Sequence, residues 1–306
     1  MVRLMVRAAV LTSALGLGSL ALAQPLSSQT PWTVRPYARI ASTEVRELSG
    51  LAHSRRRPGV YWGLNDSGDS ARIFALREDG TVLTPSGIGI AGAQNVDWED
   101  LTVDGDTIYV ADMGNNVNVR RDLGVYILKE PDPSTRQLVP GATHLRIAYP
   151  DQVDFPPSGR FTFDCESVFV LKGRLFFITK HRDGLRTPGR DATLYRLDAT
   201  DPAKVNVLTR VDHHPDLGGF VTSAAVSPDG QTLAVLALGR RPVIWLFGTS
   251  APGDQLFQTA ARRLVIRDLH QAEAITFRDN ATLIVGSEQN DLYRIPVQRF
   301  TPVAAR

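Results

Sequence analysis

The sequence predicts an all-β fold, a five-bladed β-propeller, and three observations carry that reading. A strand-turn-strand signature returns five times at a spacing of about 50 residues, the period of a propeller blade. Its first strands are Glu47–Ser54, Asp97–Val103, Asp164–Val170, Phe220–Val226 and Gln271–Phe277. Aligned on their apolar residues, these strands bring Ser49, Glu99, Glu166, Thr222 and Glu273 into register. Finally, hardly a helical stripe occurs anywhere in the chain.

The elements follow in order within each repeat. Arg57-Pro-Gly59, Asp104-Gly105, Lys172-Gly173, Pro228-Asp-Gly230 and Asp279-Asn280 supply tight turns, because Gly and Asn tolerate positive φ. Second strands are expected at 60–64, 107–110, 174–178, 232–235 and 282–285, and third strands at 73–76, 125–128, 194–197, 243–247 and 292–295. Outer strands are expected at Thr81–Ile88, His144–Ala148, Val205–Val211 and Ala261–Ile266. The fifth repeat lacks one, and Trp32–Ile40 is a strand without a blade. Joining the two closes the ring and removes two open sheet edges. A sixth blade within the longer third repeat is the alternative.

The first 23 residues read as an export signal. Arg3 and Arg7 precede an apolar run from Ala8 to Ala21, and Ala21-Leu-Ala23 supplies the small-x-small cleavage pattern. An uncleaved anchor helix is the alternative. The expected domains are therefore a signal peptide over 1–23 and a single propeller over 24–306, exported to the periplasm or the medium. No later segment is long and apolar enough to span a bilayer. Without Arg3 and Arg7, 32 basic residues balance 32 acidic ones, and no dense Lys/Arg run exists to track a phosphate backbone. Nucleic acid is not the expected partner. Cys165 is the only cysteine, so packing rather than an internal disulfide must hold a monomer together.

The aligned oxygen-bearing positions are the chemical content of the repeat. By strand parity Glu99 shares a face with Leu101 and Val103, Glu166 with Val168 and Val170, and Glu273 with Ile275 and Phe277. Three carboxylates that converge repel one another and lose hydration, which costs several kcal/mol unless protons, cationic side chains or a metal compensate. No Lys or Arg occupies any of the five positions, which argues against a side-chain cation. Calcium suits the inventory, since it takes about 6–8 oxygen ligands, and Ser49, Glu99, Glu166, Thr222 and Glu273 offer up to five. Magnesium fits less well. Hydrogen bonds from backbone amides to the glutamates are the competing explanation.

The pattern Glu-Leu-Ser, Glu, Glu, hydroxyl residue, Glu resembles the tunnel of calcium-activated nucleotidases, the apyrase family, which are five-bladed propellers. The resemblance implies a channel calcium held by Ser49, Glu99, Glu166, Thr222 (or Ser223) and Glu273. It departs at Gly50, where that family tends to carry a carboxylate. Asp97-Trp-Glu-Asp with Asp112-Met-Gly-Asn-Asn also looks like uncharacterised secreted bacterial propellers grouped with esterase-like phytases.

The loops on the face shared by the starts of the inner strands and the ends of the second strands carry the most unusual residues. They include Asn65-Asp-Ser-Gly-Asp69, Asp112 with Arg120 and Arg121, Lys180-His-Arg-Asp183, His213-His214, Arg240-Arg241, His270 and Glu288. Arg120, Arg121, Lys180, His181 and Arg240 are the candidates to bind a small anionic ligand. A protein partner is the other candidate occupant. Catalysis would be a metal-dependent phosphoester hydrolysis, with Asp66, Asp112 or Glu288 activating water. Glycosidase chemistry ranks third, because the aromatics sit in strands rather than loops. No nucleophile elbow, phosphate-binding glycine loop, zinc motif or EF-hand appears. Ligand or partner binding without turnover needs the fewest assumptions.

Overall fold

A computed structural model describes residues 30–134, 138–184 and 187–303. The expected export signal lies outside them. The described strands form five sheets, one for each repeat, and no sixth blade occurs among them. Blade 1 contains Leu48–His53, Val60–Asn65, Arg72–Arg77 and Ile88–Gly89. Blade 2 contains Trp98–Asp104, Thr107–Asp112, Gly124–Lys129 and Thr143–Ala148, and blade 3 contains Phe161–Leu171, Arg174–Arg182, Ala192–Arg196 and Thr209–His214. Phe220–Val226, Thr232–Leu238, Val243–Gly248 and Ala261–Arg267 build blade 4. Blade 5 takes Ala272–Asp279, Thr282–Ser287 and Asp291–Pro296 from the end of the chain, and Ala38–Arg39 from its start.

That last pairing is the expected closure. Ala38 lies opposite Leu292 in antiparallel register, and Tyr37 N–H and Ile40 N–H donate to Leu292 O and Asn290 O at 2.9 and 2.8 Å. The segment does more than close blade 5, because Trp32–Thr33 runs parallel to Ile266–Arg267 at the rim of blade 4. Thr301–Val303 covers the same rim strand from the other end of the chain.

Two outer strands depart from expectation. Blade 1 has only Ile88–Gly89 where Thr81–Ile88 was expected, since Gly80 and Gly87 turn the chain at positive φ. The expected strand Val205–Val211 splits in two. Val205–Val207 joins blade 2 in parallel with Arg146–Ala148, and Thr209–His214 joins blade 3. A rim strand has one neighbour and a half-exposed face, so its apolar alternation does not specify which sheet it joins.

The hydrophobic core is divided among the gaps between successive blades. Trp62, Trp98 and Ile108 fill one gap; Phe169, Phe176, Trp245 and Phe247 fill another. Burying side chains of this size contributes about 1.5–3 kcal/mol each. The gaps therefore fix the blades around the axis and leave the inner strand edges facing the channel. No helix among the described residues is long and apolar enough to cross a membrane.

Candidate metal centre

Each inner strand is interrupted at the same place. The ladder to the second strand skips one residue between Leu48 and Gly50, Trp98 and Asp100, Cys165 and Ser167, Val221 and Ser223, and Ala272 and Ala274. The skipped residues are Ser49, Glu99, Glu166, Thr222 and Glu273. The repeat therefore encodes five β-bulges, which release one side chain per blade from the ladder and re-aim it. This corrects the expected alternation: the apolar residues that follow, such as Leu101, Val168 and Ile275, pack between blades, as the gap-filling clusters require.

The five bulge residues do not form an even ring. Glu99 and Glu166 are joined by Asp164, and one carboxylate oxygen from each lies within 4.8 Å of the others. Above them, Asp66 and Asp97 approach Glu99 within the same limit. Ser49 Oγ donates to Glu99 O at 2.6 Å and Thr222 Oγ1 donates to Ala272 O at 2.9 Å, so both hydroxyls tie neighbouring blades together. Glu273 stands apart, hydrogen-bonded with Glu288 at the rim. Gln271 Nε2 donates to Glu288 from the other side.

A side-chain cation does enter, contrary to expectation. Lys180 comes from the second strand of blade 3, where it pairs in register with Asp164, and its Nζ lies 2.5 Å from Glu166 Oε1. Strands alternate in direction, so the end of each second strand lies beside the start of its inner strand. Lys180 is buried, yet Glu166, Asp164 and Glu99 hold it charged, overcoming the opposing effect of burial.

The carboxylates show the strain of this crowding. Burial first, then Glu166 and Asp164, pushes Glu99 well above the carboxylate range. Burial raises Glu166 to about 7 although Lys180 opposes it, and raises Glu273 to about 8 with help from Glu166 and Glu288. Asp97 is pushed up to about 6 by burial and by Asp164 and Asp66. Lys180 alone does not neutralise the group.

Several features fit a divalent cation. The donors are all carboxylate oxygens, the set that hard cations prefer. Asp164 is fully buried and its Oδ2 has no hydrogen-bond partner. Gly114 backs the cluster so closely that a Cβ there would overlap Glu99 Oε1 and the Asp97 carboxylate. The Lys180 ammonium itself demonstrates that a positive charge is accommodated. Asp66, Asp97, Glu99, Asp164 and Glu166 are thus the residues that would hold an ion.

The Asp112–Asn116 segment assembles this end of the channel. Asp112 Oδ1 accepts Asp97 N–H at 3.0 Å and Arg120 Nη1 at 2.9 Å. Arg120 Nη1 also donates to Gly114 O at 2.8 Å, and Asn115 N–H donates to Asp164 Oδ1 at 2.7 Å. Asp112 and Arg120, expected as base and anion ligand, are thus spent on positioning the acidic cluster. His181 is buried between Asp191 (Nδ1 to Oδ2, 2.9 Å) and Thr179 (Nε2 to Oγ1, 2.8 Å). Arg121 is exposed and lies over the Phe155 ring, 3.8 Å from its centroid. Arg240 is exposed beside a separate cavity of about 290 Å³ with Pro188 and Phe220. Cys165 is buried, which raises its thiol and keeps it inert.

Below the bulges Asp100 occupies the axis. Its carboxyl accepts Leu101 N–H at 2.8 Å and Val168 N–H at 3.1 Å. Beyond it the channel widens into a cavity of about 440 Å³ lined by Leu51, Leu101, Ala224 and Ile275, with Arg55 and Lys172 at its rim.

Asp97 and Asp164 stand two residues before Glu99 and Glu166. The repeated Asp-x-Glu was the sequence signal for the enlarged cluster. Asp100 had none, because the bulge that exposes it is invisible to strict alternation.

No family model matches the chain, and no curated protein matches it. Solved structures do. The nidogen/laminin complex is similar at 14% identity and a TM-score of 0.43, over 85% of this chain and 80% of that one. A protein from Lactobacillus plantarum is similar at 14% identity and 0.40, over 84% and 70%. The RRP9 WD40 repeats are similar at 12% identity and 0.42, over 81% and 67%. At these TM-scores and identities, none bears on what this chain binds.

Proposed function

We propose that this protein is an exported, calcium-binding propeller that captures a ligand or partner on the face where its acidic channel opens. The observation that carries the reading is the pair of acidic groups that share Glu99, one with Asp66 and Asp97 and one with Asp164 and Glu166, together with the buried Asp164 Oδ2 that accepts no hydrogen bond. A calcium ion supplies charge neutralisation there, with carboxylates of blades 1 and 2 in reach of it. Bridging those blades, it also stiffens the loops above.

Those loops offer a surface for recognition. Gln152 Nε2 donates to Asn118 O at 3.0 Å, and Thr162 N–H donates to Asn118 Oδ1 at 2.8 Å, so the loops of blades 2 and 3 form one platform. Val117, Val119 and Val153 are exposed on it, Val153 by 81%. Exposed apolar side chains beside a charged opening suit a partner that brings both apolar and polar contacts. A small anionic ligand is the other occupant, reaching a bound ion through Asp66 and Asp97 at the opening.

Calorimetric titration of calcium into chelated protein tests the reading. Saturable binding that Asp97→Asn weakens about tenfold or more supports it. Absence of binding removes it. Calcium-dependent turnover of p-nitrophenyl phosphate or a nucleoside diphosphate, lost in Asp66→Asn, replaces capture with the nucleotidase-like or phytase-like hydrolase reading.

A further inference from the structure

The acidic cluster has two overlapping halves that share Glu99. The lower half is Glu99, Asp164 and Glu166, all buried; the upper half is Asp66, Asp97 and Glu99, of which the first two are half-exposed. We infer that Lys180 is a tethered cation that fills the lower half, so that the channel takes a single divalent ion, in the upper half. This inference rests on the calcium reading above for the ion, but not for the role of Lys180.

The geometry of the lower half is that of an occupied cation site. Lys180 Nζ is 2.5 Å from Glu166 Oε1, and Asp164 faces Lys180 across the strand pair. Three ligand atoms within 4.8 Å of one another enclose the volume of one cation. An ammonium already against Glu166 repels a divalent ion from the same position, and burial weakens the screening that would soften the repulsion. The other cationic group near this half is the guanidinium of Arg182, 3.9 Å from Asp164 Oδ2, beyond hydrogen-bond reach.

The upper half has the opposite character. Arg120, the nearest guanidinium on its own blade, is turned to Asp112, Asp122 and Gly114 O. The Glu99 carboxylate is buried, yet it accepts no hydrogen bond from any described residue. Gly114 leaves room behind Glu99 and Asp97 that a Cβ would fill, so both carboxylates pack directly against its backbone. Asp66 and Asp97 face solvent, so water can complete the six or more ligands calcium needs. The five aligned bulge residues are therefore not the ligand set. Of them only Glu99 binds the ion, while Ser49 and Thr222 serve the neighbouring backbone.

The test is ion stoichiometry and affinity, read by calorimetry with calcium on chelated, folded protein. Wild type takes one ion and Lys180→Gln takes two. The double variant Glu166→Gln/Lys180→Gln returns to one, because its lower half has lost a carboxylate as well as the ammonium. In the wild-type background Asp66→Asn lowers affinity about tenfold or more, while Ser49→Ala and Thr222→Ala stay within about threefold. Should Lys180→Gln fail to fold, the comparison of Asp66→Asn with Ser49→Ala and Thr222→Ala decides. An unchanged stoichiometry in folded Lys180→Gln overturns the inference. So does loss of the ion in Ser49→Ala or Thr222→Ala with Asp66→Asn unaffected. If wild type binds no ion, the calcium reading fails by itself. A single ion gained by Lys180→Gln would then uphold the role of Lys180, and none gained would end it.

Discussion

Ser223 Oγ lies 3.4 Å from Asp100 Oδ2, joining blade 4 to blade 2 across the channel axis. Through Val168 N–H the same carboxyl reaches blade 3, and Ile275 N–H, donated to Ser223 Oγ at 3.2 Å, brings in blade 5. Blade 1 contributes Gly50, whose missing side chain makes room: a Cβ would stand 2.9 Å from Leu101 N and 3.1 Å from Asp100 Oδ1. One buried carboxyl thus links the blades where their strands converge.

Removing it strands several donors at once. Asp100→Ala is predicted to cost about 2–4 kcal/mol in urea unfolding, because the Leu101 and Val168 N–H groups lose their acceptor in a buried site. Burial pushes the Asp100 carboxyl well above its ordinary range, so Asp100→Asn, similar in shape and neutral, should cost clearly less. Equal costs for Ala and Asn would contradict the proposed linkage.

Gly114→Ala should act on the ion more than on the fold. The added Cβ meets the ends of two flexible carboxylates, which can move aside, but the movement spoils their approach to Asp66. Calcium affinity is expected to fall about tenfold with a stability loss below about 1 kcal/mol, measured by paired calorimetry and urea titration.

The chelated protein should lose stability as pH rises. Asp97, Glu166 and Glu273, raised to about 6, 7 and 8, keep protons in the folded state that the unfolded chain releases near the ordinary carboxylate range. Between about pH 5 and 8 the unfolded state therefore binds fewer protons, and the free energy of unfolding falls with pH. Melting in chelator at pH 5, 6.5 and 8 reads this directly. Excess calcium should lessen the decline by the part that Asp97 contributes, because the ion replaces its proton; a chelated protein that is most stable at pH 8 contradicts the electrostatic picture.

Closure can be tested at one hydrogen bond. Ile40→Pro removes the N–H donated to Asn290 O, at the end of the strand that completes blade 5. A cost of about 2–3 kcal/mol is expected in urea unfolding. No measurable change would mean that the segment is dispensable to the ring.

Much of this architecture was legible because the blades repeat the same grammar. Lys172 and Gly173, for example, both adopt positive φ, as a two-residue hairpin turn demands, and the chain announces that turn in its own letters. The unpaired strand near Trp32 and the incomplete fifth repeat likewise pointed to each other. The site was legible only in part. Lys180 was visible as a basic residue but not as a neighbour of Glu166, since that contact depends on the register of two strands rather than on alignment of the repeats. Asp100 sits one residue past Glu99, where simple alternation gives no reason to expect a residue on the axis, because the bulge adds a residue. Val205–Val207 went to the wrong blade for a different reason, a rim strand having too little burial to choose its partner.

The most direct measurement is the melting temperature of chelated protein with and without excess calcium, in wild type and in Asp97→Asn. An ion bound only by the folded state, present at about a hundred times its dissociation constant, stabilises by about 2.7 kcal/mol, or roughly 5–10 °C for a chain of this size. That rise is expected in wild type, and it should nearly disappear in Asp97→Asn. Equal melting of wild type with and without calcium, or a full shift retained by Asp97→Asn, would contradict the calcium reading.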